Sequence, residues 1–394
     1  MRYDFDREIN RLNTASEKWD GLEARFGVKN AIPMWVADMD FMSPAPIMEA
    51  LQRRVAHGVF GYTMRPDSYY DSIVEWLKRR HDWHIEKEWI AHGPGVVPAL
   101  SVLIGAFTQP GDKIIIQPPV YHAFFRIIRG QQREIVNNPL KWENGRYTMD
   151  FDDLEAKIDP AVKMLILCSP HNPVGRVWSW EELARLGEIC GQHNILVISD
   201  EIHFDLVYRP NRHIPFASIS QEFADRSITC ISPSKTFNLL GLQTASVIIP
   251  NSQLRRAFQR EIGRLAIGSP NTFGVVALES AYRHGEEWLE QLIEYLQGNV
   301  DLVSRYCQER IPQIKVIEPE GTYLVWLDCR ELGLSAGELD RFMLDRAKVA
   351  MNGGHMFGQG GEGFMRMNIA CPRALVEQAL RQIEQAVQSL HGTK

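Results

Sequence analysis

The chain lacks the marks of several large function classes. No apolar run approaches the length needed to cross a bilayer, and Val162 to Cys168 is typical of its longest. The six cysteines (Cys168, Cys190, Cys230, Cys307, Cys329 and Cys371) are scattered, with no C-x-x-C pair and no scaffold-like density. Buried free thiols in a reducing compartment are therefore expected. The charged stretch Met1 to Glu8 has no apolar core of a secretory signal, so the expected location is the cytoplasm. The 43 basic and 49 acidic side chains are interspersed, for a net charge of −6, which argues against nucleic acid or membrane partners. Walker A, G-x-G-x-x-G and G-x-S-x-G patterns are all missing, which removes the common nucleotide-binding loops and the serine-hydrolase elbow. His81 and His84 have no completing ligands nearby and read as helix-end residues, so no metal site is expected.

What is present is a 394-residue chain of ordinary globular composition, long for one core. A large domain with a smaller companion is expected: residues 51–290 as the large unit, 291–394 as a small C-terminal α/β unit, and 1–50 as a segment joining the small one. From residue 112 onward, apolar strands alternate with helices. Asp112 to Gln117, Val162 to Cys168, Ile195 to Ser199, Ser227 to Ile231 and Thr244 to Ile249 read as strands, with helices at Ala123 to Arg129 and Trp180 to His193. Apolar strands without alternation imply an α/β fold whose mixed, mostly parallel sheet is covered by helices on both faces. In such sheets chemistry collects beyond the carboxyl ends of the strands.

Three consecutive strand ends carry chemistry-bearing groups. The loop Ser169-Pro-His-Asn-Pro-Val-Gly175 presents Asn172, Asp200-Glu-Ile-His203 follows the next strand, and Ser232-Pro-Ser-Lys235 follows the third. Lys235, among hydroxyls and between two apolar runs, sits where desolvation would lower its pKa and make it nucleophilic. Taken alone it reads equally well as a surface-turn lysine; its neighbours at matching strand ends favour the functional reading. Arg366, mid-strand among apolar residues, requires a carboxylate from the protein or a ligand. Asp38 and Asp40 are expected to cap the following turn or helix, or to line a pocket rim. The glycine-rich stretch from Gly353 to Gly363 is expected as a mobile lid. The turn Gly93-Pro-Gly95 opens a helix that can hold a phosphate, although a plain turn is the better reading of those residues alone. Residues 251–309 are expected to be mostly helical, including a long stretch from Thr272 towards Tyr306.

Asn172, Asp200 and Lys235, in that order, resemble the pyridoxal-phosphate enzymes of fold type I, over nearly the whole chain. More closely, Trp35-Val-Ala-Asp-Met-Asp-Phe41, His57-Gly-Val-Phe-Gly-Tyr62, Ser199-Asp-Glu-Ile-His203 and Ser234-Lys-Thr-Phe-Asn238 are similar to the MalY/PatB family of cystathionine and cysteine-S-conjugate β-lyases, within aminotransferase classes I and II. The resemblance implies pyridoxal 5'-phosphate as cofactor. Lys235 would carry it covalently and later remove the substrate's α-proton, and Asp200 would keep the pyridine nitrogen protonated. Asn172 would bond the ring's phenolic oxygen, His203 would assist there or pack beneath the ring, and Tyr121 would stack on its face. The phosphate would sit on the backbone of Gly95, Val96 and Val97 with Ser232 and Ser234. Tyr62 would reach it from a neighbouring subunit, which implies a homodimer. Arg366 would grip the substrate carboxylate, with the backbone at Ala37 adding a contact.

Two departures stand out. Leu242-Gln243 replaces an arginine that many relatives use for the phosphate, and Asn352-Gly-Gly354 replaces a Pro-Gly. The expected activity is β-elimination of sulfur amino acids to thiol, pyruvate and ammonia. An aminotransferase, or a regulatory protein holding the cofactor without turnover, would share the same contacts.

Overall fold

The computed structural model describes residues 2–143 and 145–391. Its organising element is a seven-stranded sheet. The strands lie in the order Ile90–Gly93, Ala245–Ile248, Ser227–Ile231, Leu196–Asp200, Val162–Cys168, Lys113–Ile116, Glu134–Asn137. All neighbours pair in parallel except Ala245–Ile248, which runs antiparallel to both of its partners. The three central strands are almost wholly buried, as runs of Ile, Leu, Val and Cys require when helices cover both faces. On one side lies the helix Val96–Phe107, apolar nearly all round. On the other lies Trp180–Gln192, started by a capping box between Ser179 and Glu182. The sheet is thus the mixed, mostly parallel one expected from the strand pattern.

The register matters for function. Cys168 pairs with Asp200 and Asp200 with Cys230, so the three central strands end level and their following loops emerge side by side. A second, antiparallel sheet follows, ordered Lys315–Ile317, Leu324–Asp328, Phe364–Asn368, Asn352–Gly353, with Arg366 paired between Trp326 and Asn352. It is backed by the helices Glu286–Arg310 and Arg373–His391, the first of which runs across residue 290. Ile32–Pro33 pairs in parallel with Val349–Ala350, which ties the N-terminal segment to this part of the chain.

Two expectations are corrected and a third is narrowed. The stretch from Thr272 is two helices, Thr272–His284 and Glu286–Arg310, broken at Gly285, where a side chain would strike the Phe237 ring. Asp38 and Asp40 cap no helix; of the two roles expected for them they take the pocket rim, on the wall of a second cavity, and both are paired to cations of the N-terminal segment. Arg11 forks onto Asp38 at 2.6 and 3.0 Å and reaches Asp40 at 2.7 Å, while buried Lys18 bonds Asp40 at 2.6 Å. Trp35 donates its indole N–H to the Lys18 carbonyl at 3.0 Å, fastening the same segment again. Finally, the glycine-rich loop is packed and not lid-like. The Phe357 ring is fully buried against Trp326, and Gly354 approaches Gly361 so closely that any side chain there would collide with its carbonyl.

The buried Lys18–Asp40 pair yields a stability prediction. Lys18→Met leaves a desolvated carboxylate with only Arg11 and Trp19, and should cost about 3 kcal/mol. A clear drop in the denaturant midpoint is expected; an unchanged midpoint would show that Arg11 alone compensates.

Candidate active site

The level strand ends open onto a cavity of about 420 Å³ whose wall includes Asn172, Asp200, His203, Ser234 and Lys235. Lys235 lies on a short helix, Pro233–Thr236, started by Ser232. It is partly exposed, and it opens onto this cavity. Its amine donates to the Ala37 carbonyl at 2.5 Å, which brings the N-terminal segment to the site. Burial, then the positive charge of Arg366, pull the ammonium pKa down to about 8. A fraction of this amine is therefore neutral, and nucleophilic, near physiological pH.

Asp200 ends the strand Leu196–Asp200, and burial raises its carboxyl to about 7. One of its oxygens accepts from the Ile202 amide at 3.2 Å. No bond from a protein cation reaches the carboxylate among the described residues, so a cationic ring N–H entering the cavity would meet an acceptor short of partners. His203 is buried edge-on to Tyr323, 5.9 Å between centroids, with Nδ1 unpartnered and its pKa driven well down by burial. It is a neutral imidazole facing the same space.

Tyr121 also lines the cavity, as do Gly95, Val96 and Val97 at the start of the helix Val96–Phe107. The first N–H groups of that helix lack intrahelical acceptors and face where an anion would sit. Gly95, at φ 158° and ψ 165°, holds a conformation nearly restricted to glycine, so the turn cannot easily carry another residue. Ser234 lines the cavity, whereas the Ser232 hydroxyl bonds the Thr244 carbonyl at 2.7 Å and the Ser234 hydroxyl at 2.9 Å and is not on the wall. Gln243 and Thr244 take wall positions where the missing arginine was noted.

Arg366 stands behind Asn172, donating to its side-chain oxygen at 3.1 Å, to Asn352 at 2.8 Å and to the Trp35 carbonyl at 2.9 Å. Its Nε finds no partner, the Phe357 ring lies 4.9 Å from the guanidinium, and burial lowers its pKa to about 10. No carboxylate among the described residues pairs with it, so of the two partners anticipated for this arginine the protein itself is eliminated. Tyr62 is fully exposed and makes no contribution to the cavity of its own chain.

Several participants are invisible in residue types alone. Tyr323 donates to the same Ala37 carbonyl at 2.9 Å. Asp205 bonds Thr236, next to Lys235, at 2.8 Å, and also His81 at 2.9 Å and Trp76 at 3.1 Å. His81 does end its helix, Asp67–His81, as expected, but its imidazole is buried and burial lowers its pKa. The signal for Asp205 was faint: an aspartate five residues after a strand-end aspartate.

The arrangement fits pyridoxal 5'-phosphate on its own terms: a deep amine, an acceptor for a ring N–H, a helix start for a phosphate, and an arginine lacking an anion. The buried acid also gives a pH signature in the cofactor-free protein. Asp200 titrates near 7 when folded and near its ordinary 3.8 when unfolded. Below 3.8 both states are protonated and nothing is lost; as pH rises towards 7 only the unfolded state releases its proton, so folding loses stability across that window. Asp200→Asn should remove this slope, and thermal midpoints measured from pH 4 to 8 should converge at the acid end with the variant higher at pH 8. Parallel curves would sink the assignment.

Comparison with known proteins agrees with this geometry. The family described as aminotransferase class I and II matches residues 30–383. Cystathionine beta-lyase PatB of Bacillus subtilis is 46% identical over 384 residues, covering 97% of this chain and 99% of its own. Protein MalY of Escherichia coli is 34% identical, covering 98% and 100%. Among solved structures, cystalysin from Treponema denticola, which contains pyridoxal 5'-phosphate, superposes with a TM-score of 0.96 at 38% identity, over 99% of this chain and 100% of that one. The C-S lyase from Staphylococcus hominis, also bound to that cofactor, gives 0.92 at 34% identity, over 98% of both chains. The matches span the strand-end loops, the cavity and the sheet bearing Arg366 together, and on that basis the chain belongs to the class I and II aminotransferase family, in its MalY/PatB branch.

Proposed function

We propose that this protein is a pyridoxal-phosphate-dependent carbon–sulfur β-lyase acting on sulfur amino acids such as cystathionine or cysteine S-conjugates. The observation that carries the reading is the pairing of a deep, partly neutral amine at Lys235 with an Arg366 that lacks a protein carboxylate. Together they describe a site for an α-amino acid beside an aldehyde cofactor. The names of the relatives, cystathionine beta-lyase and C-S lyase, place the chemistry at the β-carbon.

Lys235 would hold the cofactor through Nζ, Asp200 would hold a proton on its ring nitrogen, and Asn172 and His203 would contact the ring edge. Gly95, Val96, Val97 and Ser234 would take the phosphate, with Ser232 bracing Ser234, and Tyr121 would cover one face. When bound, the cofactor supplies an electron sink for the charge left at the substrate's α-carbon. Arg366 orients the substrate by its carboxylate, which points the α-hydrogen at one side of the site. Lys235 Nζ would take the α-proton as a neutral base; its lowered pKa suits that role. The β-carbon–sulfur bond then breaks with its electron pair leaving on sulfur, and water releases pyruvate and ammonia.

The assembly that suits this reading is a homodimer in which Tyr62 serves the neighbouring site. Its support is the exposed run Val59, Phe60, Tyr62 and Met64, a set of large side chains that a solitary chain would leave in water. A monomer in light scattering would remove that part of the proposal.

Purified protein loaded with cofactor should release pyruvate and homocysteine from L-cystathionine, and Lys235→Ala should lose both turnover and the visible absorption of the bound cofactor. No pyruvate, with amino-group transfer to 2-oxoglutarate and no thiol released, would make it an aminotransferase instead.

A further inference from the structure

A second cavity, of about 290 Å³, lies beyond Ala37 and shares one wall residue, Leu240, with the active cavity. It is lined, among others, by Arg11 and Asp38, by Met42, and by Asp40, whose charge the buried Lys18 balances at 2.6 Å. The Arg11–Asp38 pair keeps contact with solvent, at 21% and 16% side-chain exposure, while Lys18 and Asp40 are buried. Ala37, whose carbonyl receives Lys235, is the residue before Asp38. The two cavities therefore adjoin, with Ala37 on the wall of one and the next residue, Asp38, on the wall of the other.

The way Arg11 is held is informative. Asp38 occupies the guanidinium's end edge, with one oxygen on Nη1 at 3.0 Å and the other on Nη2 at 2.6 Å. Nη1 also serves the Met39 carbonyl at 3.1 Å and Asp40 at 2.7 Å. Of the five N–H donors, Nε–H and the outer Nη2–H are left uncommitted among the described residues, and these two form the side edge that takes a carboxylate in bidentate fashion. Asp38 in turn keeps lone pairs free beyond those that Arg11 uses.

We propose that this second cavity is a subsite for the far end of a thioether substrate whose leaving group is itself an amino acid. This rests on the β-lyase reading above. Arg11 takes the distal carboxylate on its free edge, and Asp38 accepts from the distal ammonium. A zwitterion satisfies both members of the pair without separating them, whereas a simple anion would face the Asp38 charge and a simple cation the Arg11 charge. In cystathionine, the sulfur and two methylenes carry such a zwitterion away from the β-carbon, in the direction of Leu240 and Arg11. A cysteine conjugate with a hydrocarbon leaving group offers these groups nothing and gains no binding from them.

The test compares pyruvate release from L-cystathionine and from S-ethyl-L-cysteine. Arg11→Gln should lower the ratio of their kcat/KM values about 10- to 100-fold, through the KM for cystathionine. Because Arg11 also braces the N-terminal segment, Met42→Trp provides a second arm: it narrows the far cavity from an exposed position without touching the charge cluster, and should lower the same ratio. Equal losses for both substrates in Arg11→Gln, or a ratio unmoved within about twofold in Met42→Trp, would overturn the subsite while leaving the β-lyase intact. Pyruvate from neither substrate in the wild type would remove the β-lyase reading, and the subsite with it.

Discussion

Two cations, the half-buried Lys235 and the buried Arg366, share one site, and Arg366 is the largest charge acting to lower the lysine's protonation. Like charges in a desolvated space are costly, and the protein answers with dipoles in preference to carboxylates. The Trp35 carbonyl faces Arg366, and the Ala37 carbonyl faces Lys235 and Tyr323. Carbonyls soften the repulsion without neutralising either charge. The amine therefore remains partly neutral and the guanidinium remains short of an anion, which are the conditions that α-amino-acid chemistry needs.

Carbonyls act this way only if the chain bearing them is fixed. Asn368 holds the Val36 and Asp38 carbonyls at 2.6 and 2.7 Å, Asn238 holds those of Met39 and Phe41, and Arg11 and Lys18 hold the carboxylates of Asp38 and Asp40. The run of aspartates in the N-terminal motif is thus a structural fastening on one side and a site wall on the other. Asp38 adds its negative charge within reach of Lys235, tempering the effect of Arg366.

Much of this was legible in the sequence, for a definite reason. Asn172, Asp200 and Lys235 each follow an apolar strand, and parallel strands ending level must place such residues together. Arg366 was legible as a charge without a visible reason to be buried. The backbone acceptors at Trp35 and Ala37 were not, because a carbonyl is the same in every residue type. Lys18 carries no sequence mark that separates it from a surface lysine; only the fold shows it sealed against Asp40. The glycine-rich loop misled because glycine permits close packing as readily as motion, and here Gly354 meets Gly361 at a distance no side chain could share.

Asp205 shows how far the site's geometry extends beyond its wall. Its partners Trp76 and His81 lie more than a hundred residues earlier in the chain, and Thr236 lies 31 residues later. Asp200 and Asp205 leave the same strand end, one towards the cavity and the other towards the residue that follows Lys235. The separation between the acid and the amine is thereby set through one short loop and one hydroxyl, and the helix Asp67–His81 braces that loop from behind. A cofactor held at both ends by such a frame would have little freedom to tilt, so the pocket's own geometry, more than any single contact, would decide which substrate bond faces Lys235.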